Sequence, residues 1–176
     1  MKKNILLTTF LLLVCMSGTA HAAGTAVGGS AAFGDHSSSA FTVFAEQVYN
    51  PWVSGELGEI APTAEIGASW WSIRSSKDVY GAFLAPGVRL SLFTSQSAFR
   101  PYLGGSLGGA VITERNFDQW KMGSNAVFRT KGMAGVQFGE SMQHRVQGEY
   151  TTHSTWGITT NDDAFDTYGV SYGLNF

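Results

Sequence analysis

The sequence predicts an all-β protein, an eight-stranded antiparallel transmembrane β-barrel, and three observations carry that prediction. The first is the stretch 142–176, which reads as two alternating strands joined by a polar loop, Gly157 to Ala164. In the second strand Asp166, Tyr168, Val170, Tyr172, Leu174 and Phe176 share one face, and Phe165, Thr167, Gly169, Ser171, Gly173 and Asn175 the other. Side chains alternate along a strand with a period of two, so one face is aromatic and the other small and mostly polar. That pattern suits lipid outside and a narrow interior inside. The second observation is composition: 22 glycines but 4 prolines, and 13% aromatic against 14% charged residues. Gly between aromatics at low charge suits curved sheets better than helices or disorder.

The third observation is the start of the chain. Lys2 and Lys3 precede an apolar run, Ile5 to Met16, and Ala20-His21-Ala22 forms a cleavage site. Residues 1–22 are therefore expected to be a cleaved signal peptide, leaving 23–176 as the barrel. The apolar run is too short to span a bilayer as a helix. Cys15 is the only cysteine and lies inside that segment, so disulfides and cysteine metal sites are not expected in the mature chain. Without Lys2 and Lys3, nine basic residues face 13 acidic ones, a net charge of −4. No basic stripe exists, which argues against a nucleic-acid partner.

Eight alternating segments follow in order. The first, about Gly24 to Phe33, carries Val27, Ala31 and Phe33 on one side, and a turn is expected at Gly34-Asp35-His36-Ser37-Ser38. The second, about Ala40 to Tyr49, sets Phe41, Val43 and Ala45 against Thr42, Phe44 and Glu46, and Asn50-Pro51-Trp52 breaks it. The third, about Ile60 to Ser72, turns Ile66 and Trp70 outward and Thr63, Glu65 and Ser69 inward, before a polar turn at Ser75 to Asp78. The fourth, about Val79 to Thr94, is outward at Tyr80, Leu84, Val88 and Leu90 and inward at Arg89 and Ser91, with Phe83 also inward. Pro86 inside it predicts a bulge or bend. The fifth, about Phe99 to Glu114, turns Leu103, Leu107 and Val111 outward; the sixth, about Asn125 to Phe138, turns Arg129, Lys131 and Gln137 inward. The seventh, about His144 to Trp156, sets Val146, Tyr150 and Trp156 against Arg145, Gln147, Glu149 and His153.

Eight segments in the mature length leave about 19 residues each, enough for tilted strands of ~9–11 residues plus connections. With the N-terminus in the periplasm, the connections near Ser95 and Gly139 are short and periplasmic. Those at Arg115 to Ser124 and Gly157 to Ala164 are extracellular and polar. By parity Glu46, Glu65, Arg89, Glu114, Arg129, Lys131, Arg145 and Glu149 all point inward. A barrel of this size is filled by side chains, and unpaired buried charges are costly. The charges are therefore expected to pair into a plug.

Zinc, phosphate-loop and nucleotide patterns are absent, and no cofactor is expected. The candidate nucleophile is Ser154, at the outer end of the seventh segment, with Asp166 across the hairpin; parity turns both toward lipid. A serine and an acid need an imidazole to take the hydroxyl proton. Position 152, which shares the face, is Thr152; His153 reaches that face only through a β-bulge.

The stretches Arg100 to Gly104, Gly132 to Gly139, Thr152 to Ile158 and Asn161-Asp162, with the closing strand, resemble the outer-membrane lipid A 3-O-deacylases of the PagL type. The family's motif is similar to H-x-S-N-x-G, followed about a dozen residues after the serine by an acid. Ser154, Gly157 and Asp166 match its serine, glycine and acid positions, whereas Thr152 and Thr155 stand at its histidine and asparagine positions. The resemblance implies an outer-membrane location, lipid A or lipopolysaccharide as partner, and Ser-His-acid ester hydrolysis by Ser154, His153 and Asp166. It also suggests that an aromatic such as Phe176 closing the last strand is a sorting signal. The alternative is a non-enzymatic barrel serving as envelope scaffold, surface contact or adhesin. Whether two copies form a homodimer the sequence leaves open.

Overall fold

The structure, a computed structural model, describes residues 22–34, 38–73, 77–92, 98–117, 120–159 and 163–176. Cys15 and most of the expected signal peptide, the turn residues Asp35 to Ser37, Ser75 and Ser76, and Ser95, Asn161 and Asp162 lie outside the described residues. The strands are β1 (Ala22–Gly34), β2 (Ser38–Tyr49), β3 (Val53–Gly55), β4 (Gly58–Ser72), β5 (Val79–Leu92) and β6 (Phe99–Ile112). They continue with β7 (Asn116–Phe117), β8 (Trp120–Lys121), β9 (Ala126–Phe138), β10 (His144–Ser154) and β11 (Phe165–Asn175). Eight long antiparallel strands close in the order β1-β2-β4-β5-β6-β9-β10-β11 and back to β1. The seam between β11 and β1 runs from Ala26↔Asn175 to Gly34↔Thr167. The short β3 pairs only with β4, and β7 and β8 form a separate hairpin.

Parity holds along every wall strand. Phe41, Val43, Trp70, Leu103, Leu107, Val111, Tyr168, Val170 and Tyr172 are all exposed. A continuous exposed apolar band of this kind suits lipid, not water. At the end where β1 begins and β11 finishes, Phe138, His144 and Tyr172 stack in series, and His144 Nδ1 lies 2.7 Å from the Tyr172 hydroxyl. Of the bulge or bend expected at Pro86, the bulge is corrected. The β4–β5 register passes through Ala64↔Pro86 without a shift, and the β5–β6 register is the same on either side of it. Pro86 faces outward where the ladder to β6 skips two residues, so its missing N–H costs no change of register.

The lumen is filled in two storeys. Toward the termini, Glu46 accepts hydrogen bonds from Arg89 Nη2 at 2.8 and 2.9 Å and from Arg145. Glu65 pairs with Lys131, and with Arg129 at 3.3 Å. Six of the eight expected inward charges thus pair, all six nearly fully buried. Glu149 is half-buried and accepts from the Gln147 amide at 3.2 Å. Glu114 is a correction: β6 ends at Ile112, so Glu114 lies in a connection and takes no part in these pairs.

Toward the other end the filling is apolar. Phe44, Trp71, Phe83, Ile112, Met122, Val127 and Phe165 form one cluster with Phe117 and Trp120 of the β7–β8 hairpin. Phe165 meets Phe117 and Trp120 edge-on, with ring centroids 5.6 and 4.9 Å apart. The stretch 115–124 was expected to be a polar loop, and the structure corrects this. Its two aromatics are buried among lumen side chains, while Asn116 and Lys121 alternate outward. Inward glycines make room for the rings: a Cβ on Gly67 would stand 2.6 Å from the Phe83 ring.

Candidate functional site

The predicted site residues sit at the apolar end, on the β10–β11 hairpin. There β10 pairs residue by residue with both neighbours, through Thr151↔Thr167, Thr152↔Asp166 and His153↔Phe165 on one side and His153↔Arg129 and Ser154↔Phe128 on the other. No bulge interrupts it, so the two faces keep strict alternation. His153 therefore points into the lumen, 4% exposed, with its ring edge-on to Trp71 at 5.2 Å. Neither ring nitrogen has a hydrogen-bond partner among the described residues. Parity sets His153 on the same inward face as Glu149, yet among the described residues no hydrogen bond joins the two.

Ser154 continues the outer row, opposite Phe128, yet it is only 6% exposed. The chain turns sharply after it through Trp156 (φ 52°) and Gly157 (φ 74°), both left-handed. Glycine tolerates that conformation, and Trp156 must be held in it by contacts. Its ring stacks on Phe128 at 4.7 Å, and its backbone N–H donates to Ser154 Oγ at 3.2 Å. The hydroxyl thus works as a local turn-former.

Asp166 lies directly opposite Thr152 and is half-buried, one carboxylate oxygen without a partner among the described residues. Its neighbour on the same face is Tyr150, whose hydroxyl is in hydrogen-bonding reach of both the Thr152 and Asp166 side chains. Tyr150 in turn packs on Tyr168, with ring centroids 4.9 Å apart. The outer face therefore gathers Tyr150, Thr152, Ser154 and Asp166, with His153 behind the wall. Sequence reasoning missed Tyr150 as the partner of Asp166; its signal was an i, i+2 spacing to Thr152 on one face.

Beside Ser154 the strand surface and the turn enclose an apolar groove of about 440 Å³, lined by Val111, Ala126, Phe128, Thr155, Ile158 and Thr159. It was not foreseen, because Ile158 belongs to the loop and only the folded turn brings it over β9.

The sequence pattern of the lipid A 3-O-deacylase (PagL) family matches residues 22–175. The chain belongs to that family. It is an outer-membrane β-barrel, as its fold agrees. The crystal structure of the outer membrane enzyme PagL superposes with a TM-score of 0.78 at 15% identity, covering 85% of this chain and 98% of that one. The N-terminal barrel domain of Pseudomonas aeruginosa OprF gives 0.52 at 12% identity (89% and 99% covered). Neisserial surface protein A gives 0.53 at 13% (86% and 93%). At such identities these likenesses speak for the barrel alone. No curated protein matches the chain.

Proposed function

We propose that this deacylase-family barrel engages lipid A of the outer leaflet at the β10–β11 rim and does not hydrolyse it. The observation that carries the reading is the residue sharing the strand face with Ser154: a threonine, with the nearest imidazole turned into the lumen. Without a base a serine hydroxyl is a weak nucleophile, and removing any member of such a triad costs several orders of magnitude in rate. The Ser154 hydroxyl, nearly buried, accepts the Trp156 N–H, and its own proton has no imidazole to take it. The apolar groove beside it has the character an acyl chain requires. The loop end carrying this face would lie outside, the termini in the periplasm, and residues 1–22 would be the export signal.

Mass spectrometry of lipid A from cells with and without the protein tests the proposal. No change is expected from the natural chain. Thr152→His should create 3-O-deacylation, because position 152 faces Asp166 across the strand pair and shares its face with Ser154. Deacylation by the natural chain that Ser154→Ala abolishes would overturn the proposal. If His153→Ala abolished it as well, Ser154, His153 and Asp166 would be the working triad, and β10 would have to bulge in the membrane.

A further inference from the structure

The charged storey of the lumen does not balance. Among the described residues it holds four buried cations, Arg89, Arg129, Lys131 and Arg145, against two buried carboxylates, Glu46 and Glu65, and the half-buried Glu149. Aromatic faces take up part of the excess: Arg89 lies 4.7 Å from the Tyr102 ring centre, Arg129 3.9 Å from Phe83 and Arg145 5.2 Å from Phe44. Ring faces do not replace hydrogen-bond acceptors in the plane of a guanidinium, which carries five donors and no acceptor. Arg89 Nε, Arg129 Nη1, and Arg145 Nε and Nη2 are buried with no acceptor among the described residues. Leaving such donors unmade is expensive.

The terminal end of the barrel also opens into a vestibule of about 290 Å³. Arg89 lines it, together with Ser91, Arg100, Gln137 and Asn175. One acid, Glu59, lines it too, and Arg100 stands 3.7 Å from that carboxylate at the part-exposed rim. Among the described residues the cavity opens at this end of the barrel, with a 3%-exposed guanidinium in its wall and hydroxyl and amide donors around it. Guanidinium with such neighbours matches a tetrahedral oxyanion.

We infer that this vestibule is a binding site for a phosphate-type oxyanion, free or carried on a lipid headgroup, held by Arg89 with Arg100 and Gln137. It is remote from Ser154 and independent of the lipid A reading.

The test follows the arginine Nε–H resonances of the micelle-embedded barrel by NMR. Sodium phosphate is titrated against sodium chloride at matched ionic strength, and dihexanoyl phosphatidylglycerol is added below its micelle-forming concentration in a separate arm. Arg89 is expected to shift saturably with phosphate or with the lipid, and not with chloride; the responding arm names the source. Arg89→Gln should weaken that binding at least about tenfold. If Arg89→Gln gives no folded, heat-modifiable barrel, Arg100→Gln decides, with a loss of about threefold or more expected. Equal shifts with chloride and phosphate would mean simple screening and would overturn the site. No shift in any arm would overturn it as well, leaving water as the acceptor for these guanidiniums.

Discussion

In the storey near the start of β1 and the end of β11, two glutamates hold four cations and the barrel interior is filled with charged side chains. In the storey at the loop end, Trp71, Phe83, Phe117, Trp120 and Phe165 fill the same kind of space with rings. Both exclude lipid, and they differ in what a defect costs. A buried ion pair that loses one partner strands the other charge. An aromatic cluster that loses one ring leaves a cavity whose neighbours relax in part. The charged storey is therefore the more brittle and the aromatic one the more forgiving.

The largest effect should come from Glu46→Ala, which strands Arg89 and Arg145 together. A loss of about 3–5 kcal/mol is expected in denaturant unfolding followed by heat-modifiable gel migration. A loss under about 1 kcal/mol would place solvent-like screening inside the lumen and erase the contrast. Next comes Phe165→Ala, which removes a ring in contact with Phe117, Trp120 and Trp71. It should cost about 3 kcal/mol by the same assay, with the wall strands intact by circular dichroism. His153→Phe is expected to be neutral or to stabilise by about 1 kcal/mol, since it removes two buried nitrogens that bond to nothing described. Marked destabilisation would mean that the imidazole has a partner in solution, such as a bound water. The smallest effect belongs to Ser154→Ala, which loses the bond from the Trp156 N–H. About 1 kcal/mol or less is expected, seen as a local rise in hydrogen exchange around 154–157.

Alternation alone made most of the wall legible. The inward set Glu46, Glu65, Arg89, Arg129, Lys131 and Arg145 and the outward set of the last strand both follow from counting by two. Depth was not legible, because a period of two says in or out and nothing about height in the barrel. Phe83 and Phe165 were correctly inward, yet that they meet Trp120 in one cluster depends on strand register and on where 116–121 folds. That hairpin was hidden by its own composition: Asn116 and Lys121 read as loop, and the aromatics between them had no long strand to give them a face. At the site, parity gave Ser154, Asp166 and Thr152 their shared side, whereas the burial of Ser154 arose from a left-handed Trp156 that no local rule anticipates.

The seam between β1 and β11 has a consequence for how the protein comes into being. Thr25 and Phe176 exchange backbone hydrogen bonds, at 3.3 and 2.8 Å, so the first wall strand in chain order is zipped to the last. Among the described residues those contacts have the longest sequence separation, and they can form only when all eight strands exist. Until then β1 and β11 each present a bare strand edge, the kind of surface that recruits foreign strands. A nascent barrel of this topology must be shielded until β11 arrives, and loss of β1 or β11 should yield an aggregating sheet instead of a smaller barrel.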